Sequence, residues 1–162
     1  MFTAQKAFAA EKDKFSDKIG EIGFSPERNN RYTYFSGDPA AGMTLRNAVD
    51  GSETPSAGGV DTAVEYDQFK YGDGAPSPFV AATMNAAPSA GAMGAGAGTL
   101  GVAANGLSWV GAAQGQIDND VAVDVWTIST LNRTLTGGDS LGPNPGGEPN
   151  NGWNDVNQNA AP

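Results

Sequence analysis

The first 35 residues constrain this chain more than all the others, because they open inside a helix and close in a strand. Positions 3 to 14 are dominated by Ala, Gln, Lys and Glu, with no Gly or Pro. Ala4, Phe8 and Phe15, with Ala7 and Glu11 between them, follow the i, i+4, i+7, i+11 spacing of one helix face. Lys6, Lys12, Asp13 and Lys14 lie mostly off that narrow stripe. A helix start normally shows Ser, Thr, Asp or Asn just ahead of the periodic run. Two readings fit. Thr3 caps a surface helix of three turns and leaves Phe2 outside it, or Phe2 continues a longer helix and Met1 is an added initiator.

Beyond the helix the residues favour turns, then a strand. Ser16 to Phe24 reads as a single helical turn: Ser16 caps it, Ile19 and Ile22 share a face, and Gly23 supplies a positive φ at the exit. Ser25-Pro26 bars helix, Asn29-Asn30 tolerates turn geometry, and Arg31-Tyr32-Thr33-Tyr34-Phe35 alternates as a strand.

This string resembles the type IV pilins, most closely the major pilins of deltaproteobacteria and related predatory or gliding bacteria. The matching residues are Thr3 to Phe8, Glu11 to Asp13, Phe15-Ser16, Ile22-Gly23-Phe24, Pro26-Glu27-Arg28, Asn30-Arg31-Tyr32 and Tyr34. They cover about the first fifth of the chain and are far more specific than a short motif. Weaker echoes run through Phe79-Val80-Ala81 and from Gly111-Ala112 to Asp124-Val125-Trp126-Thr127-Ile128.

In that family a basic leader, a processing site and an apolar membrane-spanning run precede the matching segment. None of them stands in this sequence, and no stretch approaches the roughly 18 apolar residues a spanning helix needs. The resemblance therefore implies either a soluble form cut within the long helix or a naturally split subunit. A complete cytosolic protein fits the composition but leaves the resemblance unexplained. The helix's first turn is expected to fray, because nothing continues it upstream.

With 162 residues the chain is long enough for one domain with a core. A net charge of −9 argues against direct nucleic-acid binding, which needs phosphate-neutralising cations. There is no Cys, unlike the many pilins that staple their carboxyl-terminal loop with a disulfide. That loop must be held by packing, hydrogen bonds or metal, or be mobile.

Within the remainder, Gly37 to Gly59 is loop chemistry, with Met43 to Arg46 the only ordered candidate. The mixed pattern from Gly59 to Tyr71 supports no assignment. Phe79 to Met84 reads as a short strand, and the Ala/Gly-rich stretch Asn85 to Asn105 as a flexible loop, or as a small-residue surface for a neighbouring subunit. Leu107 to Ala112 and Val121 to Ser129 read as a strand pair with Gln114 to Asp120 as the loop between them. On the second strand Val121, Val123, Val125, Thr127 and Ser129 share one face, and Ala122, Asp124, Trp126 and Ile128 the other. Beyond Thr130 the pattern fades into loop residues, with Trp153 as the expected anchor of that tail.

Nothing points to catalysis. Without His or Cys, triads and thiol chemistry built on them are excluded. Asp118 and Asp120 read as solvated loop carboxylates. No phosphate-binding glycine motif occurs. Calcium ligation by Asp118, Asn119 and Asp120, or by Glu148, Asn150 and Asp155, is chemically open, but neither run matches an EF-hand loop. Asn132-Arg133-Thr134 fits the glycosylation triplet and is read as a chance match. No cofactor and no metal are expected.

The expectation is an α+β pilin-like domain over 1–162: the lower half of the long helix (1–15), a connection (16–30), sheet and loops (31–130) and a carboxyl-terminal loop region (131–162). The helix should pack on an antiparallel sheet of about four strands through Ala4, Phe8, Phe15, Ile19, Ile22, Phe24, Trp126 and Ile128. The implied role is structural, in a surface filament for motility and adhesion. Its partners are other pilin subunits, engaged through the missing helix, and the pilus assembly machinery. Membrane association would come only through the absent segment, at the inner membrane before assembly. The alternatives are a minor pilin or pseudopilin of a secretion system, or a carbohydrate-binding module stacking sugars on Trp109, Trp126 or Trp153. Two tryptophans lining an open groove would favour the last; buried tryptophans would favour assembly.

Overall fold

A computed structural model describes the chain except residues 51, 72–86, 89–92, 94–98, 117–122, 136–141 and 154–162. The helix α1 spans Phe2–Lys12, so Phe2 belongs to it and Thr3 is not its cap. Met1 occupies the cap position without a side-chain bond, and Gln5 N–H donates to Met1 O at 3.1 Å. The helix stops at Asp13, which takes the left-handed conformation (φ 57°) and donates its N–H to Ala9 O. Phe15 therefore lies outside α1, its N–H bonded to Gly106 O.

The connection behaves largely as its residues dictate. Ser16 Oγ accepts from Lys18 N–H at 3.1 Å, as a cap does. Residues 19–23 form turns closed by Gly23 at φ 66°. Asn29 takes φ 70° just before strand β1, Tyr32–Phe35.

Among the described residues the main sheet has seven strands rather than about four. Besides β1 they are β2 (Met43–Thr44), β3 (Ala63–Val64), β4 (Gly101–Val102), β5 (Trp109–Gly115), β6 (Asp124–Ser129) and β9 (Asn150–Trp153). The order is β2-β3-β1-β5-β6-β9, with β4 beside the start of β5. All pairs are antiparallel except β2 with β3. A separate hairpin joins β7 (Arg133–Leu135) to β8 (Gly142–Asn144). A short helix α2, Gln68–Tyr71, comes after β3. The region read as carboxyl-terminal loop thus contributes three strands. They are short; β8 and β9 are built of Gly, Pro, Asn and Trp, so backbone pairing decides them, β9 to the edge of β6 and β8 to β7. The expected strand at Phe79 to Met84 lies outside the described residues.

Pairing sorts the side chains by face. Phe35 stands opposite Ala112 and Ala63, and these, with Val110 and Met93, form a buried cluster. Met93 comes from the Ala/Gly-rich stretch, whose composition promises no packed side chain. Gly111 stands opposite Ile128, Ala113 opposite Trp126 and Tyr34, and Gly115 opposite Asp124 and Tyr32, so these share the other face. The sheet has two ends along its strands. Tyr32, Gly115 and Asp124 mark one, which also holds α2; Phe35, Trp109 and Ser129 mark the other.

Candidate functional site

One amide of α1 bonds the connection and the residue after β1. Gln5 is fully buried. Its Nε2 donates to Ser16 O and to Ser36 Oγ (3.0 Å), and its Oε1 accepts from Ser16 N–H at 3.3 Å. Ser36 comes directly after β1, and its carbonyl and hydroxyl oxygens accept from the Trp109 indole Nε1 at 2.9 and 3.1 Å. A buried amide is costly unless its donors and acceptor are all used. Here the helix, the connection, the end of β1 and the start of β5 satisfy one another.

Aromatic packing surrounds this hub. The Phe2 ring lies 6.4 Å from that of Trp109, tilted by 38°. Trp109 lies over Gly111, where an added Cβ would come within 2.2 Å of the indole ring and 2.9 Å of Met1 Cε. Gly115 serves Tyr32 in the same way, with 2.6 Å to its ring. Glycine on this face of β5 is what lets two aromatic rings lie against the strand.

The residues singled out from the sequence fall in three groups. Ile19 and Ile22 are buried in the connection. Ala4, Phe8, Phe15 and Phe24 are half-buried, and Phe24 meets Tyr34 edge-on at 5.2 Å. Ile128 is half-buried opposite Gly111, the glycine that Met1 approaches. Trp126 stands two residues further along that face, 40 % exposed. Its indole Nε1 donates to Asp124 at 2.6 Å. Trp153 ends β9 opposite Val125, but its side chain lies outside the described residues. Gln5, Ser36 and Trp109 carry the junction, and none of the three is among the residues expected to pack the helix. A glutamine between Ala4 and Lys6 looks like any surface helix residue, and only its partners mark it.

Asp124 is a second hub. Its buried carboxylate accepts from Tyr32 Oη (2.6 Å), Trp126 Nε1 (2.6 Å) and Asn151 Nδ2 (2.7 Å). These donors come from β1, β6 and β9, so one side chain ties three strands together. Burial first, then the hydrogen bond and charge of Asp124, push the Tyr32 phenol well above its ordinary range. Burial also raises Tyr34.

The loops at the Tyr32 end are held by ion pairs. Arg28 bonds Asp67 (2.8 Å), Glu53 (3.2 Å) and Ala48 O (3.3 Å). Asn30 Nδ2 donates to Tyr32 O and Glu65 O. Arg28, Asn30 and Tyr32 all belong to the matching segment. On the other face Arg133 is buried, donating to Asn144 Oδ1, Thr127 Oγ1, Thr127 O and Met93 O. Burial lowers its pKa and that of Arg46. Among the described residues no group of three His, Cys, Asp or Glu could hold a metal ion. Asp118, Asn119, Asp120 and Asp155 lie outside them.

Of the three tryptophans, Trp109 is buried and Trp126 is partly exposed, so no pair of described tryptophan side chains lines an open groove. No helix among the described residues is long and apolar enough to cross a membrane.

A family model described as "Type IV pilin PilA" matches residues 1–124, which span α1, the connection and the sheet up to the start of β6. The chain is 36% identical over 138 residues to the "Type IV major pilin protein PilA" of Myxococcus xanthus (strain DK1622), covering 80% of this chain and 59% of that protein. The chain thus spans under two thirds of that relative's length. A family match over most of the chain, together with this relative, settles the assignment: this chain belongs to the type IV pilin PilA family.

Proposed function

We propose that this chain is the head of a structural subunit of a type IV pilus filament, a cell-surface fibre for motility and adhesion. The observation that carries the proposal is a coincidence of position. Gln5, Ser16 and Arg28, all within the string that resembles pilins, are central to the Gln5 junction and the Arg28 loop clamp, in a chain of the pilin family. In this reading α1 is the stalk of the head. The expected contact residues Ala4, Phe8, Phe15, Ile19, Ile22, Phe24 and Ile128 line its seat, and Trp153 anchors the carboxyl-terminal segment. The partners are further copies of the subunit and the assembly machinery, and the protein acts by assembling rather than by catalysis.

Complementation tests this directly. The subunit carrying this chain, expressed in a host deleted for its major pilin, should restore surface filaments that shear off as a polymer of one protein. Stable subunit in the membrane fraction with no filaments at the surface would overturn the reading. Filaments that appear only in substoichiometric company with another pilin would favour a minor subunit instead.

A further inference from the structure

The two ends of the sheet expose apolar side chains that the fold does not use. At the Tyr32 end Leu45, Val49 and Phe69 are 50, 79 and 56 % exposed. They stand on a built platform. Phe69 N–H donates to Arg46 O, Arg28 holds Ala48 O and Asp67 together, and Glu53 accepts from Asn47 N–H and Ala48 N–H. Asp67 also caps the turn of α2, accepting from Lys70 N–H. At the Trp109 end Leu107 and Leu131 are 66 and 44 % exposed. Thr130 N–H bonds Trp109 O, which makes the chain around Leu131 a cross-strand neighbour of the chain around Leu107. Polar networks fix the first pair of loops and strand pairing fixes the second, so neither patch needs reordering to bind.

Position decides what such patches can bind. A closed dimer presents one patch to itself, whereas two different patches at opposite ends of a subunit join head to tail and propagate as a fibre. Charge agrees at the apolar tips: Asp50, exposed, adjoins Val49, and Lys14, exposed, lies beside Gly106 and Leu107. Resting on the filament reading above, we propose that the Leu45/Val49/Phe69 platform of one head docks on the Leu107/Leu131 end of a second copy, so that heads contact along the strand direction of their sheets.

The chain has no cysteine, so introduced thiols report this contact without background. Filaments sheared from cells expressing the V49C/L107C subunit are treated with a short bifunctional maleimide and run under denaturing conditions. A covalent ladder extending beyond the dimer is expected, while V49C alone and L107C alone give no ladder. If the double variant does not assemble, V49C and L107C subunits are co-expressed, and a covalent dimer joining the two is expected. Intact filaments that yield neither product overturn the docking while leaving the filament reading standing. Absence of filaments from the unsubstituted subunit overturns both. A paired charge exchange gives a second arm: K14E and D50K should each lower filament yield several-fold and their combination restore it. Yields unchanged in both single variants would also refute the contact.

Discussion

Single residues decide this fold where polar groups are buried. Gln5 is the clearest case. Replacing it with leucine keeps the bulk but leaves Ser16 N–H and the Ser36 hydroxyl without their amide partner. A loss of about 1–3 kcal/mol is expected, the usual cost of orphaned buried polar groups, measured by chemical denaturation. Trp109 fluorescence should shift to the red as its indole gains water. Tyr32 makes a pH prediction. Its phenol is held protonated in the folded state, so the native protein binds a proton that the unfolded chain has released. The associated stability is present below about pH 10, the ordinary tyrosine range, and is lost as pH rises beyond it. Tyr32→Phe should flatten the alkaline branch of the stability curve and remove one late-ionising phenol from an ultraviolet titration. An unchanged titration would show that Tyr32 ionises normally.

Elements depend on what their neighbours leave open. The edge of β6 is covered by β9, and the covering strand is tied down by Asn151 to Asp124 and by Gly147 N–H to Ser129 O. Hydrogen bonds thus hold β9 in a chain without cysteine. Ending the chain after Gly147 should bare the β6 edge and promote association, visible as light scattering or dimers in ultracentrifugation. The same protein with β9 present should stay dispersed. On β5, Gly111→Val should cost about 1–3 kcal/mol, because the added carbons displace the Trp109 ring and Met1. Strand β6 was legible as alternation, and its two faces fall as that alternation says. Strands β8 and β9 were not legible, because Gly, Pro and Asn carry little strand signal, and β7 is too short to show alternation.

At the scale of the whole molecule, Arg133 couples parts that the chain separates. It joins the β7–β8 hairpin, strand β6 and the segment of Met93 through four hydrogen bonds. Arg133→Ala should destabilise the domain by about 3 kcal/mol or more, since bonds to a charged group contribute about 1.5–3 kcal/mol each. It should also lower the denaturant m-value if the hairpin then unfolds separately. A single transition with unchanged slope would mean that the hairpin is held by other contacts.

The local sequence determined the opening helix, the turns at Gly23 and Asn29, strand β1, the alternation of β6 and, through the resemblance, the family itself. These are short-range signals: propensity, periodicity, positive-φ residues and a contiguous string. The tertiary structure decided where α1 ends, which residue seats it and how the tail is held. Asp13 halts the helix in a left-handed turn that no glycine announces. Gln5 and Asp124 read as ordinary polar residues until Ser16, Ser36 and Trp109 surround the one, and Tyr32, Trp126 and Asn151 the other. The reason is physical. A buried hydrogen-bond hub is made by partners distant in sequence, so its members carry no mark until the chain has closed around them.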